Sequence, residues 1–307
     1  MNITFVGGGN MASALIGGLL GRAGPAGSGG APTAAAATAP TAAAATLPAP
    51  GHGAATPADP PRITVIDPAP AQCERLAREF GVAARGALAG DEAPCDVLVL
   101  AVKPQQMREA LAPLAAHARN ALVISVAAGI RAADLARWLD GHTRIVRTMP
   151  NTPALIGAGI TGLWGAPGLS PSDRDLAQRI VSAVGEALWV DQEAMLDAVT
   201  AVSGSGPAYV FHFMEAVHAA AVGLGFNDKA ARQLTLATFR GAAALACSAT
   251  EPIAVLRDRV TSKGGTTAAA LSVMNERQLA AHIGDAVAAA CRRSVELADE
   301  FGKDSKP

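Results

Sequence analysis

Two glycine-bearing turns, near opposite ends of the chain, hold the residue types best suited to chemistry. One is Val260-Thr261-Ser262-Lys263-Gly264-Gly265-Thr266-Thr267. Its adjacent glycines let the backbone approach a ligand closely with N–H groups exposed. The run from Thr267 to Arg277 can begin a helix, whose positive end favours a carboxylate or phosphate. Two threonine hydroxyls stand at the same spot. The same residues also suit an ordinary helix start with threonine caps and a glycine turn.

The other turn is Gly7-Gly8-Gly9-Asn10-Met11-Ala12. It follows the apolar, β-branched run Asn2 to Val6 and precedes the helical run Met11 to Leu20. Strand, glycine turn and helix are the context in which a GxGxxG/A match points to dinucleotide binding. Gly7 makes the tight turn, Gly9 admits the pyrophosphate, and Ala12 packs helix against strand. A carboxylate for the adenosine ribose is expected about 20 residues on. The acid at the end of the next strand, Asp67 in Arg62-Ile63-Thr64-Val65-Ile66-Asp67, lies 58 residues past Gly9. Between them, residues 23–61 hold 16 Ala, 8 Pro, 6 Gly and 5 Thr with one charged residue, Asp59. So many prolines forbid a long helix, and so few large apolar groups bury no core, so the segment reads as a disordered inserted loop. Without those 39 residues the spacing becomes 19. Asp67 would accept ribose hydroxyls and repel a 2′-phosphate, favouring NADH, whereas Arg75 or Arg78 could reach such a phosphate.

The elements that must position these turns alternate. Asp96–Val102, Ala121–Val126 and Thr143–Thr148 read as near-continuous apolar strands with helices between, which predicts a parallel sheet covered on both faces. Ligands then bind beyond the carboxyl ends of the strands, where Gly7 to Gly9, Asp67, Ala101-Val102-Lys103-Pro104 and Ala127-Ala128-Gly129 all fall. A further strand pair is expected over 156–163 and 187–190. The helices 193–202, 207–224, 228–248 and 278–301 follow. The middle two are apolar around most of their circumference, which predicts a large subunit interface. The expected architecture is α/β: a Rossmann-type parallel sheet domain over 1–164, containing the insert 23–61, then an all-helical dimerisation and substrate domain over 165–307.

Composition excludes several classes. The 307 residues carry a formal net charge of −1 and few aromatics, so neither nucleic acid nor a polybasic membrane surface is expected as a partner. The four cysteines (73, 95, 247, 291) form no CxxC pair, and the six histidines no ligand cluster. This fits a reducing cytoplasm and indicates no metal. Ile3 to Leu20 is uncharged, but five glycines interrupt it and no basic residue precedes it, unlike a secretory signal or a membrane span.

The two turns, together with Ala101-Val102-Lys103-Pro104, Arg147-Thr148-Met149-Pro150-Asn151-Thr152-Pro153 and Ser203-Gly204-Ser205-Gly206-Pro207-Ala208-Tyr209, occur in one order and spacing. In this the chain resembles the pyrroline-5-carboxylate reductases throughout, except for 23–61. The resemblance implies an oxidoreductase of proline biosynthesis that reduces the cyclic imine 1-pyrroline-5-carboxylate to L-proline with NADPH or NADH. It implies a cytoplasmic homo-oligomer built on a helical-domain dimer, with a decamer as one assembly. It implies that Thr267 is catalytic, its hydroxyl reaching the imine nitrogen. Ser262, Lys263, Gly264, Gly265 and Thr266, from a neighbouring subunit, would hold the substrate carboxylate, with Glu193 nearby. The cofactor would lie on Gly7, Gly8, Gly9, Asn10, Met11, Asp67, the 101–104 turn and the 127–129 turn.

The chain departs from that pattern in three places. Lys263 replaces the proline of an SPGGTT loop, Leu88 stands where an asparagine is frequent on the adenosine side, and the insert follows the first helix. Two other readings stand beside the resemblance. One is a Rossmann reductase of the 3-hydroxyacid dehydrogenase type, which needs a catalytic lysine that the helix after Gly206 does not offer before Lys229. The other is a dinucleotide-binding sensor without activity.

Overall fold

The computed structural model describes residues 1–22, 60–88 and 94–303. All of the insert except Pro60 and Pro61 lies outside the described residues. In chain order the first elements are β1 (Asn2–Val6), α1 (Asn10–Leu19), β2 (Arg62–Ile66), α2 (Pro70–Phe80), β3 (Ala83–Arg85) and β4 (Val97–Leu100). Next come α3 (Met107–Leu111), α4 (Ala115–Ala118), β5 (Leu122–Ser125), α5 (Ala132–Trp138) and β6 (Ile145–Met149). They are followed by β7 (Gly159–Gly165), α6 (Pro171–Ser182), β8 (Gly185–Trp189), α7 (Met195–Val199) and α8 (Gly206–Gly223). The chain ends with α9 (Asp228–Ser248), α10 (Ile253–Arg259), α11 (Thr266–Glu276) and α12 (Leu279–Gly302).

One sheet runs β3-β2-β1-β4-β5-β6-β7-β8. Its pairings are parallel from β3 to β6, β6 and β7 are antiparallel, and β7 and β8 are parallel again. β4 (VLVL) and β5 (LVIS) are buried at every residue, as strands covered on both faces must be. Alternate residues feed two cores. Phe5, Val65, Val97, Val99 and Ile124 join Leu15, Ile16, Leu76, Phe80 and Ile180 from α1, α2 and α6. Val6, Ile66, Leu98, Leu100 and Val123 join Met107, Leu111 and Leu135 from α3 and α5 on the other face. Local chemistry sets the helix ends. Pro70 opens α2, where a missing N–H costs nothing, and Gly81 closes it in the left-handed conformation at φ 67°. Ser170 and Asn227 cap α6 and α9 through their side-chain oxygens.

The described chain forms two compact units. The first contains the sheet and runs to Gly204, with Cys291 onward added; the second is Ser205–Ala290. Composition placed the division at 164/165. The compact units divide later because β7, α6 and β8 extend the sheet, and because Ser294 of α12 donates to Asp197 Oδ1 at 2.7 Å. The second unit is wholly helical, α8 to α11 with the first part of α12. It buries little of itself: α8, α10 and α11 have no buried residue, and α9 has only Ala231 and Thr235.

Candidate active site

The turn after β1 is shaped from several sides. Gly7 has φ +93°, and a Cβ there would sit 2.7 Å from the Ala101 carbonyl oxygen at the end of β4. Only glycine meets both demands. The Gly7 N–H donates to Ile66 O at 2.8 Å, and the Gly8 N–H to Asp67 Oδ2 at 2.7 Å. A Cβ on Gly8 would meet Leu76 Cδ1 at 2.6 Å. From α2, the Gln72 amide donates to the Gly8 carbonyl, and Arg75 Nη2 donates to Ser13 Oγ at 2.7 Å. Ser13 Oγ in turn donates to Gly9 O at 3.0 Å.

Gly9 is unlike its neighbours. It is exposed, its φ of −65° and ψ of −172° are open to any residue, and a Cβ there meets nothing within 4 Å. It faces open space while Gly7 and Gly8 face protein. No side chain caps α1, and its first turn contains no acid. An uncapped helix start beside an open glycine offers free N–H donors and a positive potential, which fits a pyrophosphate. Ala12, buried completely, lets α1 lie close to the sheet. Asn10 is exposed and Met11 half-buried at the same helix end.

The other expected cofactor residues line up beside this turn. Asp67 ends β2, 101–104 follow β4 and 127–129 follow β5, so the four turns sit at the carboxyl ends of the neighbouring strands β2-β1-β4-β5. Chain order reverses between β1 and β4, the switch point where such sheets bind ligands. Asp67 Oδ1 accepts the Ala69 N–H at 2.9 Å as Oδ2 accepts that of Gly8. A carboxylate has about four acceptor positions, so two remain for ribose hydroxyls. Lys103 is exposed and extended before a 3₁₀ turn, Pro104–Gln106, and its carbonyl accepts the Gln106 N–H at 2.9 Å. Val102 and Pro104 are half-buried. Ala127 and Gly129 are buried, Gly129 at φ +73° against Phe301, which leaves Ala128 as the more open member of its turn.

In the second unit, α10 ends at Arg259 and α11 begins at Thr266. The loop between is braced by itself. Thr261 Oγ1 donates to Arg257 O at 2.7 Å, and the Gly265 N–H donates to Ser262 O at 3.0 Å. Gly264 takes φ +72°, and a Cβ on Gly265 would stand 2.5 Å from Ser262 Oγ. The loop thus favours glycine at 264 through its backbone, and at 265 a side chain would displace the Ser262 hydroxyl. No side chain caps α11 and no acid lies in its first turn. Ser262, Lys263, Gly264 and Thr266 are exposed, and Thr267 is half-buried. This is a second uncapped helix start, with donors but no countercharge, suited to a carboxylate.

Glu193 stands elsewhere. It belongs to the first unit, where its Oε1 accepts from Arg147 Nη1 at 2.9 Å and from the Ala132 N–H of α5 at 2.7 Å. Arg147, on β6, is only 4 % exposed; burial pulls its pKa down, and the Glu193 carboxylate opposes that shift. Beside it, Asp197 pairs with Arg131 at 2.8 Å. The structure thus gathers the cofactor residues into one unit and the 262–267 loop into the other, with Glu193 on the cofactor side.

Several roles escaped sequence reasoning, including those of Arg75 and Asn151, which the sequence singles out for other reasons. Ser13, Gln72 and Arg75 support the glycine turn; the one signal for the last two was their i, i+3 spacing on α2. Asn151 ties the turn after β6 in place, accepting from Ile160 N–H at 3.0 Å and donating to Ser203 O at 3.2 Å. Ser203-Gly204 lies in a π-helical turn, Thr200–Gly204, where a Cβ on Gly204 would stand 2.5 Å from Met149 Cε. That part of the SGSGPAY run therefore shapes backbone.

Comparison with known proteins agrees with both units. A family model for pyrroline-5-carboxylate reductase dimerisation matches residues 193–297, and one for NADP oxidoreductase, coenzyme F420-dependent, matches residues 2–129. The pyrroline-5-carboxylate reductase of Pseudomonas aeruginosa is 40% identical over 304 residues, 98% of each chain. That of Pasteurella multocida is 38% identical over 306 residues, again 98% of each. The solved pyrroline-5-carboxylate reductase of Coxiella burnetii superposes with a TM-score of 0.80 at 34% identity, covering 96% of this chain and 98% of its own. The NADP-bound pyrroline carboxylate reductase of Plasmodium falciparum shares the fold, with a TM-score of 0.74 at 23% identity.

Proposed function

The chain belongs to the pyrroline-5-carboxylate reductase family, and from that membership we propose how its residues divide the work. It is an NAD(P)H-dependent oxidoreductase that reduces 1-pyrroline-5-carboxylate to L-proline in proline biosynthesis. Membership sets aside the 3-hydroxyacid dehydrogenase reading. The observation that carries the assignment of residues is the pair of uncapped helix starts, each beside an open glycine turn.

The start of α1 and Gly9 receive the pyrophosphate, Asp67 the adenosine ribose, and the 101–104 and 127–129 turns the nicotinamide half. The bound NAD(P)H supplies hydride to the C=N carbon. The Gly264 and Thr266 N–H groups hold the substrate carboxylate, with the Lys263 ammonium adding attraction at the rim. Thr267, one residue inside the helix, presents its hydroxyl to the imine nitrogen. A threonine hydroxyl is a weak acid, so it orients the C=N bond and the proton comes from water. Glu193, fixed through Oε1 by Arg147 and the start of α5, acts at the margin of this site as a positioning residue.

The loop comes from a neighbouring subunit. Supporting this is the apolar surface that the second unit leaves uncovered: Leu224 is 82% exposed, Ile253 76% and Phe211 60%. So many large apolar side chains left exposed in one unit favour an interface. The helical unit forms the oligomer, and we propose a dimer as its repeating element, with a decamer as the full assembly. No helix among the described residues is long and apolar enough to cross a membrane, and all four cysteines are free, which supports a cytoplasmic location.

The deciding experiment follows NAD(P)H absorbance on adding 1-pyrroline-5-carboxylate. Substrate-dependent oxidation with formation of proline is expected. Cofactor binding without turnover would leave the sensor reading in its place.

A further inference from the structure

The structure assigns this chain a preference for NADH over NADPH, set by Asp67, by the lack of a free backbone donor in the 67–70 turn and by the ties that hold Arg75. The inference rests on the reading of the β1–α1 turn as the dinucleotide site.

In a site of this kind the 2′ position of the adenosine ribose lies at the carboxyl end of β2. Here that end reads Asp67-Pro68-Ala69-Pro70. Asp67 is held in place by two backbone donors, Gly8 N–H at 2.7 Å and Ala69 N–H at 2.9 Å. It cannot swing aside for a phosphate without stranding the Gly8 N–H, because Gly8 is buried under Leu76 and Gln72. Of the four residues, only Ala69 has an N–H beyond that of Asp67 itself, and Asp67 Oδ1 already occupies it. Pro68 and Pro70 have none. The Asp67 N–H donates to Arg85 O at 3.0 Å. No backbone donor of this turn is therefore left for an anion.

The side chains close the case. Arg75, the cation best placed by sequence to rescue a phosphate, turns under the glycine turn instead. Its Nη2 donates to Ser13 Oγ at 2.7 Å, its Nη1 pairs with Glu79 at 2.5 Å, and its Nε lies 3.4 Å from Gln72 Oε1. Each of the three nitrogens thus has an acceptor within the protein, which turns the guanidinium toward Ser13 and Glu79. Arg78 stands in the last turn of α2, away from the Asp67 end of that helix. Arg85, across from Ile66 on the edge strand, has an interaction of its own. A 2′-phosphate, with about −1.5 to −2 charge at neutral pH, would meet a fixed carboxylate and no free backbone donor of the 67–70 turn. A ribose 2′-hydroxyl would donate to that carboxylate, and hydrogen bonds to charged groups are the stronger kind.

The test is binding, measured without substrate. NADH and NADPH are titrated into the purified oligomer and followed by nicotinamide fluorescence. NADH should bind about tenfold to a hundredfold more tightly, the ratio expected for gaining or losing one charged hydrogen bond. The ratio should narrow below about pH 6, where a phosphate monoester loses one charge. Asp67→Ser keeps a hydroxyl for the Gly8 N–H and should weaken NADH while strengthening NADPH. Ala69→Arg leaves Asp67 in place and should strengthen NADPH, with NADH within about threefold; it covers the case in which Asp67→Ser loses its fold, read by thermal unfolding. Equal or tighter binding of NADPH by the parent protein, unchanged in Asp67→Ser, would overturn the inference. Binding of neither cofactor would instead remove the dinucleotide reading beneath it.

Discussion

Exchanging Gly7 and Gly9 for alanine, one at a time, should separate folding from cofactor binding. At Gly7 the added Cβ meets two obstacles. The backbone sits at φ +93°, which costs an L-residue about 1–2 kcal/mol, and the Ala101 carbonyl oxygen lies 2.7 Å from the new carbon. Backbone atoms cannot step aside as a flexible side chain can, so overpacking adds about 1–3 kcal/mol. The sum, about 2–5 kcal/mol, should lower Tm by about 5 °C or more at fixed protomer concentration. At Gly9 neither obstacle exists: φ is −65°, ψ is −172°, and nothing lies within 4 Å of the new Cβ. Gly9→Ala should therefore match the parent within about 0.5 kcal/mol, or gain up to about 1 kcal/mol from a less flexible unfolded chain. Its methyl group nevertheless occupies the space through which a pyrophosphate must reach the first N–H groups of α1, so Kd for NADH should rise at least about tenfold. Thermal unfolding and fluorescence titration on the same samples decide the matter. Gly9→Ala protein that is fully folded and binds cofactor within about twofold of the parent would show that no pyrophosphate approaches there. An unchanged Tm for Gly7→Ala would refute the packing at the end of β4.

Thr267→Ala should lower kcat by about two orders of magnitude or more while Kd for NADH stays near the parent value, since its unit is not the one that contains the glycine turn; an equal loss in both would mean that the helix start had collapsed. Lys263→Pro should keep kcat within about tenfold and make the substrate KM less sensitive to salt, because it removes an exposed charge and stiffens the loop; activity appearing only in that variant would favour the sensor. Glu193→Ala strands the buried Arg147 guanidinium and should destabilise by about 3–5 kcal/mol, partly recovered in Arg147→Met/Glu193→Leu, as chemical denaturation would measure. Asp173 is held below the usual carboxylate range by its hydrogen bond to Arg144, and so contributes stability above the unfolded pKa of about 3.9, lost as pH falls through the lower folded value. The stability difference between the parent and Asp173→Asn should therefore be flat above about pH 5 and shrink in acid; a difference that grew there would reverse the assignment.

Much of this was legible in residues alone because it depends on local rules. Alternating apolar strands with helices between them dictate a covered parallel sheet, and a glycine turn between strand and helix marks its ligand edge. The spacing from Gly9 to Asp67 recovers its usual length once 23–61 is set apart. Gly264, Gly265 and the two threonines identify a helix start, because those demands are met within eight consecutive residues. What the sequence could not reveal depends on groups distant along the chain meeting in space. Arg75 is the clearest case. On the sequence it is a free cation beside a phosphate site; in the fold it is spent on Ser13, 62 residues away, and on its helical neighbour Glu79. Glu193 is another: its Oε1 is engaged by Arg147, 46 residues before it, a partner no local pattern reveals. The end of the first unit at Gly204 likewise required knowing that β7 and β8 join the same sheet. Backbone conformation and helix ends follow from neighbours along the chain, whereas the partner of a long charged side chain is chosen by tertiary packing alone.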